Sequence, residues 1–365
     1  IYTLSLHDAL PILHHTIRNL LLVAMALSAT SCEWVKDDLP ECPPTELRVG
    51  FKYDYHIFGG DVFSEHVGAV YVYLFDRNNK FLSLHTETNP EVLGKRGYEM
   101  VLNDLEPDRY RLVTIAFQRS CEEMYGRAGA KFRIPDMQAG DPIEKLEVTL
   151  DRKKNTDDGR SYVVHENAPL DTLWMNRTKN TVETGFQETT RTLVDLMRHT
   201  KQLTITLRQV NDPANIDCND FSIGLTDDNG CVRHDCSIKA DDELLTYTPH
   251  TMWTSEYSDD NHNEMQRAAH ADMSLARLIY SEEWSQNALL TIFNKETGVE
   301  VARVNLPEIL VSGRNTAEQS YSEQEYLDRE HAYKLDFFLV GDTWQYINVT
   351  VGVLSWQVRN QNADL

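Results

Sequence analysis

Apolar and polar residues alternate along the stretch from Leu47 to Tyr55. Leu47, Val49, Phe51, Tyr53 and Tyr55 fall on one side, while Arg48, Lys52, Asp54 and His56 interleave with them. A period of two predicts a strand with one buried face. Val70 to Phe75 is apolar at every position, which predicts a central strand covered on both faces. Further strands are predicted at Phe81 to His85, Tyr98 to Leu102, Tyr110 to Phe117 and Leu146 to Leu150, with turn residues such as Glu106-Pro107-Asp108 between them. The polar run from Asp151 to Arg160 reads as a solvated loop.

Residues Ala168 to Thr192 lead to a second series. It begins where Leu203, Ile205 and Leu207 alternate with Thr204, Thr206 and Arg208, and continues at Asp220 to Thr226, Val232 to Ile238, Met273 to Ile279, Ala288 to Asn294 and Val299 to Val304. Asp227-Asp228-Asn229-Gly230 predicts a tight hairpin, because Asn-Gly readily takes the positive φ that such turns require. Short helices are predicted near Leu306 to Val311 and Ser322 to Glu330. The chain closes with Tyr333 to Val340 and Tyr346 to Val358, where Ile347, Val349, Val351 and Val353 share a face. The pattern predicts an all-β protein of two tandem β-sandwiches, residues 45–195 and 196–365, with the boundary near Val194 to Thr200. A chain of 365 residues suits two domains.

Upstream of the strands the character changes. Residues 1–12 have no initiator Met and fit poorly with the segment after them; they read as a non-native leader fused to the gene, a native start being the alternative. Residues 13–31 carry Arg18, an apolar run from Leu20 to Leu27, and the small residues Ser28 to Ser31 immediately before Cys32. The run is shorter than the ~20 residues of a membrane span but suits the core of a secretory signal. A cysteine directly after small residues is similar to the lipobox of bacterial lipoproteins, in which the thiol is acylated, although Ala29 stands where Leu is usual. A plain signal peptide or a spanning anchor is the competing reading. Residues 32–44 form an acidic tether ending in two prolines, expected to be extended and solvated.

The formal charge of −22 repels phosphate backbones and anionic headgroups, so nucleic acid is excluded as a partner and membrane attachment must come through lipid. Six cysteines in an exported chain point to disulfides. With Cys32 acylated, Cys42 and Cys121 form a candidate bridge within the first domain, free thiols being the alternative. Cys231 and Cys236, five apart, would point to opposite faces of a regular strand, which leaves Cys218 as a partner for one of them.

No metal or cofactor is expected. His262, Glu264 and His270 match no ligand spacing. Asn215, Asp217 and Asn219 begin like a calcium loop that Asp220 and Thr226 then break. No nucleophile elbow, phosphate-binding glycine loop or zinc-protease motif is present, so no catalytic residue is assigned. Trp174, Trp253, Trp284, Trp344 and Trp356 are core candidates; an exposed one could stack on a sugar ring.

Four segments together resemble a known family. They are DDLPEC (Asp37 to Cys42), the strand pair LRVGFKYDY (Leu47 to Tyr55) and AVYVYLFD (Ala69 to Asp76) joined through DVFSEHV, the segment EYLDREHAYKLDFFL (Glu325 to Leu339), and the terminal LSWQVRNQNADL (Leu354 to Leu365). In this order they are similar to the fimbrial anchor and minor fimbrial subunit lipoproteins of Bacteroidota. The resemblance implies two tandem transthyretin-like Greek-key β-sandwiches, lipidation at Cys32, outer-membrane attachment exposed at the surface, and a role in anchoring a fimbria and limiting its length through shaft pilin subunits. A lipid-tethered member must keep its first strand, so the expected donor in any strand exchange is the C-terminal segment, with Trp356, Val358 and Leu365. The rival reading is a surface glycan-binding lipoprotein. Asp171-Thr172-Leu173 also resembles the short O-glycosylation motif of these bacteria.

Overall fold

The computed structural model describes residues 45–258, 265–315, 317–351 and 358–361. They belong to one compact unit that begins at Thr45. Its first half contains β1 (Glu46–Lys52), α1 (Phe63–His66), β2 (Ala69–Phe75), β3 (Phe81–Glu87), α2 (Pro90–Leu93), β4 (Glu99–Asn103), β5 (Arg109–Phe117) and α3 (Cys121–Tyr125). Next come β6 (Phe132–Arg133), β7 (Glu147–Leu150), β8 (Lys153–Lys154), β9 (Ser161–Val163), β10 (Leu173–Asn176), β11 (Asn180–Glu183) and β12 (Thr189–Arg198). The second half opens with β13 (Thr200–Gln209), β14 (Phe221–Asp227), β15 (Cys231–Arg233), β16 (Leu245–Tyr247), β17 (Thr251–Ser258) and β18 (Met265–Ala276). It closes with β19 (Leu289–Asn294), β20 (Glu300–Asn305), α4 (Leu306–Ser312), α5 (Glu323–Arg329), β21 (Ala332–Val340), β22 (Thr343–Val351) and β23 (Val358–Gln361).

The fold is mostly β-sheet. An eight-stranded sheet has the order β3-β2-β5-β10-β12-β1-β4, with β11 beside β5, and two six-stranded sheets run β17-β18-β13-β21-β22-β23 and β20-β19-β14-β16-β9-β8. The period of two sorts side chains between two cores. Val70, Val72 and Leu74 of β2 enter a smaller cluster with Leu47, Val49 and Trp174, while Tyr71, Tyr73 and Phe75 enter the larger one. Each such side chain, fully removed from water, contributes ~1.5–3 kcal/mol. The larger cluster also takes Leu203, Ile205 and Leu207 of β13 from one six-stranded sheet and Ile223, Leu225 and Leu290 from the other, so these two sheets face each other across shared core. The close approach at the entry to β2 needs a glycine: a Cβ on Gly68 would sit 2.1 Å from the Gln118 carbonyl oxygen.

Helices α2 to α5 each start at a side chain that caps the first turn. Asn305 accepts from the Glu308 N–H at 3.2 Å, with Pro307 in the first turn of α4, and the Ser322 Oγ accepts from the Glu325 N–H at 3.2 Å to start α5. Among the described residues no helix is long and apolar enough to cross a membrane.

The point at 195/196 falls within β12, and strands cross from each half into the other. From the first half, β9 lies parallel to β16, while from the second half β15 lies antiparallel to β7. Two sequence expectations are corrected here. The Asp227 to Gly230 stretch does not close a hairpin, because β14 pairs with β16 and β19 while β15 leaves for β7. Asn229 is instead buried, accepting from the Tyr247 hydroxyl at 2.6 Å and donating to the Arg277 carbonyl at 3.0 Å. Nor do Cys231 and Cys236 share a regular strand: β15 ends at Arg233, and Cys236 takes φ +67 in a turn.

Candidate functional site

The residues that carry the sequence reading of function lie at the chain's ends. Cys32, Cys42, Trp356 and Leu365 fall outside the described residues, as do His262 and Glu264. Val358 is placed at the start of β23, whose backbone pairs antiparallel with β22, Val358 opposite Val349. The expected donor segment thus supplies the last strand of its own six-stranded sheet. The opposite margin is β17, eight residues paired on one side only, to β18. An edge strand leaves alternate N–H and C=O groups unpaired and is where a further strand can add.

Cys121 begins α3 and is half-buried; its N–H donates to the Tyr71 hydroxyl at 2.7 Å, and burial pushes its thiol pKa up. Among the described residues no two cysteines are bonded: Cys121, Cys218, Cys231 and Cys236 are free thiols, so Cys218 pairs with neither of the other two. The Cys42 to Cys121 bridge involves a residue outside the described set. The Cys236 thiol is fully enclosed and pushed up to about 12.

Asp217 serves as a cap, accepting from the Asn219 N–H at 3.0 Å and facing Arg267 at 3.1 Å. Among the described residues no group of three His, Cys, Asp or Glu is arranged to hold a metal. Thr172 of the candidate glycosylation motif is 3% exposed, so the folded chain does not present its hydroxyl. The tryptophans divide. Trp174 is core, and Trp344 packs edge-on to Phe337 with ring centroids 6.3 Å apart, whereas Trp253 is 38% and Trp284 48% exposed.

Two arrangements went unseen in the sequence. The first is a buried polar cluster where the halves meet. Lys201, wholly enclosed, donates through Nζ to the carbonyls of Leu327, Asp328 (3.3 Å) and Glu330 (2.7 Å) at the end of α5. Beside it Arg277 forms a two-point ion pair with Asp328, Nε to Oδ1 2.7 Å and Nη2 to Oδ2 2.7 Å. Tyr55 from the first half lies under Arg177 at 4.6 Å and Arg329 at 4.2 Å. Lys201 shares the parity of Leu203, Ile205 and Leu207, which is the signal that could have placed it inside.

The second is the face of the β17 to β22 sheet that points away from its core. Trp253 stacks on His270 with centroids 4.9 Å apart and planes 17° apart. Two hydroxyls flank the imidazole, Ser255 Oγ 2.7 Å from Nε2 and Thr206 Oγ1 3.1 Å from Nδ1. On the same face Arg208 donates to the Tyr257 hydroxyl at 2.7 Å, Thr204 donates to Asp272 at 2.6 Å, and Phe338 stacks on Tyr346 at 4.3 Å. The alternation Trp253, Ser255, Tyr257 was the available signal, obscured because no apolar partner alternates with it.

Sheets stacked across a shared core, with edge strands paired on one side only, make this a β-sandwich protein. The family model for fimbrillin-A associated anchor proteins Mfa1 and Mfa2 matches residues 39–362, and the chain belongs to that family, one of fimbrial anchor proteins and not of enzymes. Solved structures agree. The chain is similar to a candidate adhesin from Bacteroides thetaiotaomicron, with TM-score 0.71, 25% identity, and 88% of this chain and 99% of that one covered. A second protein from that organism, described as a candidate polysaccharide-binding protein, gives TM-score 0.65 at 25% identity over 87% and 98%. The fimbrial anchor protein Mfa2 from Porphyromonas gingivalis shares the fold at TM-score 0.58 and 15% identity, over 87% of this chain and 99% of that one. None of the curated proteins matches the chain.

Proposed function

We propose that this chain is a surface-exposed outer-membrane lipoprotein that anchors a fimbria and limits its length by strand-mediated contact with shaft pilin subunits. In this reading its halves are tandem transthyretin-like Greek-key sandwiches, joined by the two strand crossings. The observation that carries the proposal is the family match over residues 39–362, which spans the folded unit and reaches into the tether. The leader ending at Cys32 supports attachment: each buried methylene of an acyl chain contributes ~0.8 kcal/mol, and stable anchoring takes two or more chains. The placement of β23 supports the contact. A partner strand exchanging with it finds the backbone groups of β22, and the released Trp356 to Leu365 segment is free to complete a pilin's sheet.

Two variants of the full chain in its native envelope test the two parts separately. Cys32→Ser is expected to release the protein from the membrane fraction; full retention refutes lipid anchoring. Deletion of residues 356–365 is expected to abolish co-purification with the shaft pilin while the protein stays folded and membrane-bound; unchanged co-purification refutes the donor segment.

A further inference from the structure

The outward face of the β17 to β22 sheet carries a constellation that the anchor role does not use. Reading across the strands by register, Trp253 lies opposite His270, Thr206 is paired with His270 on one side and Asp336 on the other, and Asp336 lies opposite Asn348. Neighbouring strands are about 4.8 Å apart, so the row runs about 19 Å from the indole to the amide. Asp336 is 9% and Asn348 7% exposed, yet Asp336 Oδ1 and Asn348 Oδ1 have no hydrogen-bond donor. The nearest cations to that carboxylate oxygen, Lys334 Nζ at 3.7 Å and Arg208 Nε at 3.9 Å, stand beyond hydrogen-bond reach. A buried acceptor without a donor costs free energy, so a ligand hydroxyl that displaces the side chains covering these two adjacent oxygens and donates to them is favoured.

We infer that this face binds a neutral oligosaccharide lying across the strands, one ring against Trp253 and hydroxyls of a ring further along donating to Asp336 and Asn348. The flat indole, braced from one side by a hydrogen-bonded imidazole, offers an apolar surface to the C–H face of a pyranose without having to be ordered on binding. The row's length requires several linked rings, not a single sugar. On the face itself Asp272 and Asp336 are balanced by Arg208 and Lys334, so no local excess of either sign draws a charged sugar, while the protein's net charge of −22 weighs against a uronic acid. The opposite preference belongs elsewhere on the molecule, to a cleft of about 540 Å³ on the other six-stranded sheet, where Lys154, Arg160 and Arg303 gather. The inference stands apart from the anchor proposal, since strand exchange at β22 and β23 leaves the row from Trp253 to Asp336 in place.

The test is titration of the full-length protein in detergent with neutral tetrasaccharides of glucose, mannose and xylose, and with a tetragalacturonate, followed by tryptophan fluorescence and calorimetry. At least one neutral tetrasaccharide is expected to bind and to change the fluorescence. Trp253→Ala and, separately, Asn348→Ala are each expected to weaken it about tenfold or more with the thermal unfolding profile of the Trp253 variant unchanged. Trp253 is exposed, so its replacement leaves the core intact. The inference is overturned if none of the neutral tetrasaccharides binds, if binding is unchanged in Trp253→Ala, or if only the tetragalacturonate binds, which would assign recognition to the Lys154, Arg160 and Arg303 cleft.

Discussion

Replacing Lys201 by Met keeps the length of a side chain that is wholly buried and removes its ammonium. In the native protein that group meets three carbonyls at the end of α5, where the last helical C=O groups lack intrahelical partners. Burial pushes its pKa down from 10.5 to about 7. Two opposed quantities result. Orphaned carbonyls cost ~1–3 kcal/mol each, while eliminating a charge held in an apolar site returns part of that. The balance therefore depends on pH in a way that isolates this residue. The unfolded chain keeps the lysine proton until pH ~10.4, whereas the native chain releases it near the depressed value. Between the two the unfolded state holds more protons, so the wild-type free energy of unfolding rises with pH by up to ~1.4 kcal/mol per pH unit, and below the folded pKa this dependence vanishes. Met carries none of it. Measured by urea unfolding of the full-length protein, the deficit of Lys201→Met is expected to be ~1–2 kcal/mol near pH 6.5 and larger by ~2–3 kcal/mol near pH 9. A deficit that stays flat across that range would refute the buried, depressed lysine, and a variant more stable than wild type at pH 9 would refute the role of the carbonyl contacts.

Asp227 has the opposite linkage: burial, then the charge of Asp228, raises its pKa from 3.8 to about 8. Its stabilising contribution is complete below pH ~4 and is lost as pH rises toward the folded value, so Asp227→Asn is expected to stabilise by a few kcal/mol near pH 8 and by little near pH 4, as read from thermal unfolding at the two pH values. Breaking the enclosed pair with Arg277→Met strands the Asp328 carboxylate and is expected to cost ~3–5 kcal/mol in urea unfolding; the double variant Arg277→Met with Asp328→Leu should recover most of that, and failure to recover it would mean that Arg277 acts through its bond to the Cys236 carbonyl.

Where a segment buries one or two whole faces, its sequence announced it. The unbroken apolar run of β2 and the alternation of β1 left little freedom, and the helices expected from Leu306 and from Ser322 begin within a residue of those positions. β12 and β17 escaped notice for a shared reason. The first half of β12, Thr189 to Leu193, is wholly polar until its last residue and half-exposed, and β17 is a margin with no deep contact on its outward face, so neither needs an apolar stripe. Asn229-Gly230 misled because turn propensity records what a backbone tolerates; here buried hydrogen bonds from Asn229 fix a passage between sheets. The oligosaccharide face is hardest to see, since it depends on four strand pairings that bring Trp253, Thr206, Asp336 and Asn348 into one row from distant parts of the chain.

The crossings of β9 onto β16 and β15 onto β7 bear on how such a molecule carries load. Two sandwiches strung on a linker would separate under tension like beads, the linker stretching first. Here each half is stitched into a sheet of the other, so tension between the halves is borne by two ladders at once, and neither half can be drawn away without both tearing. In the anchoring role proposed above, such a joint is a splice, stiff until it fails.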